Sequence, residues 1–316
     1  MLFWVINGLE GDIVKKKCIM IYNPTSGRGF SEDMVNKYLE IMHEYSYDVT
    51  PIATQGTGDA TKIVASAEGY DIVFAIGGDG TINEVVNGNA MRKKPLILCP
   101  LPGGTCNDFA SMMGYGRNLE KNLRMALEGQ VKTLDIGTIN SKQFIYVAGI
   151  GMFLNISYDT PKKDKKRLGY LAYIKYGIKE AFHPIKLYRS EIDIDGRKFK
   201  GDYSLILVSN SNHIAGMSNF YKKVTLNDGV MEVLLLNSRN IISFAWNFIL
   251  FKLGFSNKHI VKLLGKNIKI EFVDEERAVW GIDGEKCPLN SNYYDISLQE
   301  QMKFLIPNKN VKKLFK

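Results

Sequence analysis

Residues 71–84 read DIVFAIGGDGTINE: an unbroken apolar run that ends on two glycines, a lone aspartate, a third glycine and a threonine. A short continuous apolar run bounded by turn residues is a strand buried on both faces. The glycines after it allow a tight turn and let a phosphate come within hydrogen-bonding range of main-chain N–H groups. Upstream, CIMIY (18–22) reads as a second buried strand. SEDMVNKYLEIMHEY (31–45) puts Met34, Val35, Tyr38, Leu39, Met42 and Tyr45 on one helical face behind Ser31 as N-cap. YDVTPIAT (47–54), a helix opening near Asp59, a helix from Thr81, PLILCPL (95–101) and a helix after Thr105 continue the alternation. Strands and helices in that order imply a parallel sheet covered on both faces.

In open sheets of this kind ligands bind beyond the carboxyl ends of the strands. Three glycine-rich loops lie there, NPTSGRG (23–29), GGDGT (77–81) and PGGT (102–105). Thr81 with Glu84, and Thr105 with Asp108, have the spacing of N-caps with capping boxes. A helix N-terminus facing such a loop favours a bound anion. No G-x-x-x-x-G-K-[ST] occurs and no G-x-G-x-x-G opens a helix, so neither a P-loop nucleotidase nor a dinucleotide dehydrogenase is indicated.

After Asp135 the texture changes to short strand-like runs at 143–148, 191–199, 203–208, 230–236, 267–272 and 293–298, with a hairpin signal at Asp195-Gly196. Two helical segments, about 166–182 and 241–255, interrupt them. The length of 316 residues favours two domains. Cys18, Cys99, Cys106 and Cys287 are scattered, which indicates neither a disulfide framework nor a zinc site and suits a reducing cytoplasm. The first residues lack the layout of a signal peptide, and 241–255 is too short to span a bilayer. The net charge of +8 is concentrated: residues 161–200 carry twelve Lys/Arg against five Asp/Glu, and 303–316 adds five lysines and no acid. Such a surface suits phospholipid headgroups or nucleic acid, or serves only solubility.

GGDGTINEVVNG (77–88), with YNPTSG (22–27) before it and LPGGTCNDFA (101–110) after it, resembles the diacylglycerol kinase catalytic-domain family, which includes soluble bacterial diacylglycerol kinases and the sphingosine and ceramide kinases. GGDGT alone is shared with phosphofructokinases and NAD kinases; NEVVNG and GTCNDFA are more specific. Segments 157–179, 209–217, 225–236 and 281–288 extend the resemblance along the chain. It implies an α/β plus all-β protein: an N-terminal Rossmann-like ATP domain over 1–134 and 302–316, and a C-terminal antiparallel β-sandwich over 135–301.

The resemblance assigns ATP phosphates and ribose to Asn23, Pro24, Thr25, Ser26, Gly27, Thr54, Gly78, Asp79, Gly80, Thr81, Ile82, Asn83, Glu84 and Thr105. Asp79, between glycines, reads as a ligand of Mg2+ or its water shell, the other reading being a carboxylate that caps the turn. Asp228, with the main-chain carbonyls of Thr225 and Val230, would hold a structural Mg2+ linked through water to Asp79. Glu285 matches the family's catalytic base, and Asp283 beside it is expected to raise its pKa. Cys106 and Lys286-Cys287-Pro288 depart from the family's small residues. The four histidines show no metal or triad spacing.

The expected activity is ATP- and Mg2+-dependent phosphorylation of diacylglycerol. Other lipid alcohols, an NAD kinase-like reaction and a non-catalytic nucleotide-gated lipid-binding protein are its rivals. The expected partner is an anionic membrane surface rather than nucleic acid, reached peripherally from the cytoplasm by the basic run 162–167 and the amphipathic segment after it. Residues 241–255 either line an acyl-chain cleft or form a core helix. A homodimer is compatible with the resemblance.

Overall fold

A computed structural model of the chain describes residues 16–27, 29–105, 107–152, 185–214, 217, 219–221, 223–273 and 278–315. Strands β1 (Lys16–Tyr22), β2 (Tyr47–Ala53), β3 (Ile72–Gly77) and β4 (Ile97–Pro102) lie in the order β2-β1-β3-β4 and pair in parallel throughout. Every residue of β3 is buried, as the apolar run demands of a central strand. Helices α1 (Glu32–Glu44), α2 (Asp59–Ser66), α3 (Asp79–Ala90), α4 (Asp108–Met113) and α5 (Leu119–Leu127) fill the connections. The Ser31 hydroxyl accepts the Met34 N–H at 3.4 Å, so α1 starts where its cap predicts.

The second half contains β5 (Gln130–Ile139), β6 (Lys142–Phe144), β7 (Val147–Gly151), β8 (Tyr188–Ile194), β9 (Arg197–Tyr203), β10 (Leu205–Ser209) and β11 (Met231–Leu236). They are followed by α6 (Ile241–Leu253), β12 (Ile260–Gly265), β13 (Asn267–Phe272), β14 (Val279–Ile282), β15 (Glu285–Pro288), β16 (Tyr293–Ile306) and α7 (Val311–Leu314). The run at 191–199, with its hairpin signal at Asp195-Gly196, lies in the hairpin β8–β9, whose strands reach out to Tyr188 and Tyr203. Asp195 (φ 49°) and Gly196 (φ 85°) both take left-handed backbone at its turn, the geometry that matches strand twist.

A six-stranded antiparallel sheet, β12-β11-β10-β7-β14-β15, faces β8, β13 and part of β16. Between them lies a core of Phe144, Ile150, Ile206, Val233, Ile270, Trp280 and Tyr294, with the Trp280 and Tyr294 rings 5.1 Å apart. The outer face of that sheet, through Leu205, Leu207, Leu234 and Leu236, joins the core of the parallel sheet instead. The architecture is thus an α/β layer followed by an antiparallel β layer.

The two layers share strands. β16 pairs antiparallel with β5 from Ile296 to Ile306, and its Phe304 bridges in parallel to Leu98 of β4. Leu134 and Phe304 belong to the first core, Ile139 and Ile296 to the second. The expected boundaries at 134/135 and 301/302 therefore fall inside β5 and β16. Among the described residues no helix is long and apolar enough to cross a membrane. The N-terminal extension, the basic run 162–167, the expected helix at 166–182, His183 and Cys106 lie outside the described residues.

Candidate active site

The three glycine loops meet. Gly103 N–H donates to the Gly77 carbonyl at 2.7 Å, and the Asn23 N–H to the Ile76 carbonyl at 3.1 Å. A Cβ on Gly104 would lie 2.5 Å from Gly78 Cα, and one on Gly27 (φ 53°) would lie 2.4 Å from the Gly103 carbonyl oxygen. Gly78 itself looks toward the Ser26 hydroxyl. Backbones this close admit no Cβ, which keeps side chains out of the junction and gives the close main-chain approach that a phosphate chain needs. Asn23 Oδ1 accepts both the N–H and the hydroxyl of Thr25 at 2.9 Å, closing Asn23–Gly27 into a turn. Thr54, at the end of β2, is buried with its N–H on the Tyr22 carbonyl at 2.9 Å. Gly104→Ala should push the loops apart and weaken ATP binding by about tenfold or more. Isothermal titration with ATP checks this, and unchanged affinity would show that the interlocked loops do not form the nucleotide cradle.

Two expected caps are corrected. α3 begins at Asp79 behind Gly78, which offers no side-chain cap, and Thr81 instead folds back over Gly77. Glu84 does not complete a capping box, because its oxygens accept the N–H groups of Gly58 at 2.8 Å and Ala60 at 3.2 Å and so cap α2, whose Gly58 cannot cap itself. At α4 the N-cap is Asn107 in left-handed backbone (φ 52°), not Thr105, and its amide closes on Gly104. Ile82 is core, and Asn83 reaches into the second layer. The side chains of Ile82, Asn83 and Glu84 thus serve the scaffold.

Asp79 is half-buried rather than exposed between its glycines. Its carboxylate accepts the N–H groups of Asp108 at 3.1 Å and Phe109 at 3.2 Å, so it caps α4 across the loop. Burial, and then the nearby Asp108 carboxylate, push its pKa up to about 8 against those two hydrogen bonds. His213 Nε2 stands 3.6 Å from Asp108 Oδ1. Paired carboxylates in a poorly solvated position form a set that a divalent cation neutralises.

The second layer brings Glu285 to this place. Asp283 (φ 45°) and Gly284 (φ 82°) form a two-residue turn between β14 and β15, so Glu285 is the first residue of β15. A Cβ on Gly80 would lie 2.8 Å from Glu285 Oε1, which puts the exposed glutamate over the first turn of α3, one residue from Asp79. Asp283, two residues before Glu285, is turned to main chain and to Asn83. Its buried carboxylate accepts the N–H groups of Ile145 (2.7 Å), Tyr146 (3.0 Å) and Val147 (3.1 Å) and the Asn83 amide (2.7 Å). Burial pushes its pKa up to about 6 while these donors oppose the shift. Asp283 is the clasp between α3 and the β14–β15 turn.

Asp228 lies in the loop before β11. Asp135 pins that loop by accepting the Gly229 N–H at 2.7 Å and is itself held by the Gln301 amide at 2.6 Å. Asp228 raises the pKa of nearby Glu232, which burial first and this charge second push to about 8. Glu232 Oε2 is buried with no hydrogen-bond partner among the described residues. Among the described residues no three His, Cys, Asp or Glu side chains are grouped to hold a metal, so a cation at the loop of Thr225, Asp228 and Val230 would depend on main-chain carbonyls beside these carboxylates. Glu232 and His213 lie in the resembling segments 225–236 and 209–217 without a role assigned to them there, and Asp135 stands outside the quoted motifs. The signal for Glu232 and Asp135 is nonetheless present: each is an acid inside an apolar strand, MEVLLL and TLDIGTI.

The geometry has known counterparts. Residues 17–139 match the model of the diacylglycerol kinase catalytic domain. The chain is 34% identical to a diacylglycerol kinase of Bacillus subtilis (strain 168) over 275 residues, covering 85% of this chain and 90% of that one. It is 31% identical to a diacylglycerol kinase of Staphylococcus aureus (strain JH9) over 300 residues, 93% of this chain and 94% of that one. A crystal structure of a diacylglycerol kinase from Bacillus anthracis str. Sterne superposes with a TM-score of 0.73 at 25% identity, covering 94% of this chain and 99% of that one. Interlocked glycine loops under a glutamate from a second layer, and similarity that runs through both layers, make this chain a lipid kinase of the diacylglycerol kinase family.

Proposed function

We propose that the protein transfers the γ-phosphate of ATP to the free hydroxyl of diacylglycerol, giving phosphatidic acid, with Mg2+ and at the cytoplasmic face of a membrane. The placement of Glu285 over Gly80, beside Asp79 and above the glycine loops, carries this reading. Phosphoryl transfer depends on alignment and charge neutralisation, with a base for the attacking hydroxyl. The main chain of 23–27, 77–81 and 103–105 orients the phosphates, and the glycines let it approach. Glu285 takes the hydroxyl proton as the lipid oxygen bonds to the γ-phosphorus and the bond to ADP breaks. Asp79, held by the α4 N–H groups, would hold Mg2+ at the phosphates, and Asp228 with the Thr225 and Val230 carbonyls would hold a second ion in the loop that Asp135 fixes. When bound, the metal supplies neutralisation of charge on the transferring group. The names of the relatives support diacylglycerol as the alcohol.

The test is transfer from labelled ATP in mixed micelles across diacylglycerol, a sphingoid base, ceramide, phosphatidylglycerol and a polyprenol. Diacylglycerol should be labelled fastest, and the reaction should stop when chelator removes the metal. Preference for another alcohol would contradict the substrate assignment.

A further inference from the structure

Helix α6 carries two faces of opposite use. Phe244, Asn247 and Phe251 are buried, with Phe220 and Tyr221 packed on Phe251 at centroid distances of 5.3 and 5.6 Å. The other face leaves Ile242 80%, Trp246 61%, Ile249 49% and Leu253 61% exposed, at a spacing that makes one stripe along the helix. Ile241, Ile242, Ala245, Trp246 and Ile249 line an apolar hollow there, and Phe255 just beyond is 60% exposed. Contiguous apolar exposure of this kind marks a surface that is covered in use.

We propose that this face of α6 is a docking surface for an anionic lipid bilayer. Charge selects that occupant. From Val233 to Ile270 the chain has six Lys/Arg and no Asp/Glu, and Arg239, Lys258, Lys262 and Lys266, on the segments that flank α6 in sequence, are exposed. An all-cationic stretch of chain with exposed aliphatic side chains and a central tryptophan suits the boundary between headgroups and acyl chains. A second copy of the same face would set cation against cation. On the same helix Lys252 Nζ donates to the Asn219 carbonyl at 2.8 Å, six residues along the chain from His213, whose Nε2 stands 3.6 Å from Asp108 Oδ1. The inference rests on the lipid-kinase reading for its purpose, since a water-insoluble substrate has to be taken from a membrane.

Trp246 is its own reporter, because Trp280 is fully buried. In the full chain with Trp4→Phe, mixing with phosphatidylglycerol–phosphatidylcholine vesicles should shift the emission to the blue and allow quenching by brominated acyl chains. Ile242→Ser with Trp246→Ser should weaken flotation with those vesicles by about tenfold or more, leaving the melting midpoint within about a degree and activity on detergent-dispersed diacylglycerol within about twofold. Unchanged flotation would overturn the proposal. So would a fall in solution mass, which makes a second copy the occupant, or a loss of several degrees in melting midpoint, which means the chain itself covers the stripe. Vesicle binding through Trp246 in a protein that labels no lipid would uphold the docking surface while sinking the kinase reading.

Discussion

Replacing Glu285 by glutamine lowers kcat by roughly 10²–10⁴-fold, the range of a lost general base, and leaves ATP affinity within about twofold by titration. The expectation follows from position. Glu285 begins β15 and meets the nucleotide layer over Gly80, while the phosphates are to be held by main chain of another layer. The substitution keeps shape and removes only the ability to take a proton. Substantial turnover in Glu285→Gln would mean that Glu285 positions the lipid and something else accepts the proton.

The second large effect is Asp283→Ala, a change that touches no substrate. It leaves three backbone N–H groups and the Asn83 amide without the carboxylate that satisfies them. Unsatisfied buried donors cost about 1–3 kcal/mol each, and partial relaxation brings the total to roughly 3–5 kcal/mol. The melting midpoint should fall by roughly 6–10 °C. Because the same carboxylate clasps α3 to the turn that presents Glu285, kcat should fall too, and Asp283→Asn should not restore either property, since its amide sets N–H against N–H. Calorimetry and initial rates check both; a midpoint within about a degree of the parent would show that Asp283 is no clasp.

Much of this is legible in the sequence, for physical reasons that differ by element. β3 and its glycine loop are readable because a fully buried parallel strand is apolar at every position and a phosphate-facing turn needs residues without Cβ. The β8–β9 hairpin is readable in outline because Asp195-Gly196 is a local turn code. The caps are not, because capping here is long-range: Glu84 caps α2 and Asp79 caps α4, each across a loop rather than within its own helix. The turn Asp283-Gly284 is recognisable, but not that its aspartate binds the main chain 136 residues away at Val147. The sharing of β5 and β16 between layers is likewise hidden, since the first half of β16 alternates like a sandwich strand and only pairing shows where it continues.

If the glycine loops and Glu285 together make a phosphotransferase site for a lipid hydroxyl, the chain must choose a lipid alcohol over a soluble nucleotide. Incubation of the full chain with γ-labelled ATP and Mg2+ alongside diacylglycerol in mixed micelles and, separately, NAD decides the matter. Labelled phosphatidic acid and unlabelled NAD are the expected outcome. Labelled NAD with no labelled lipid would contradict it.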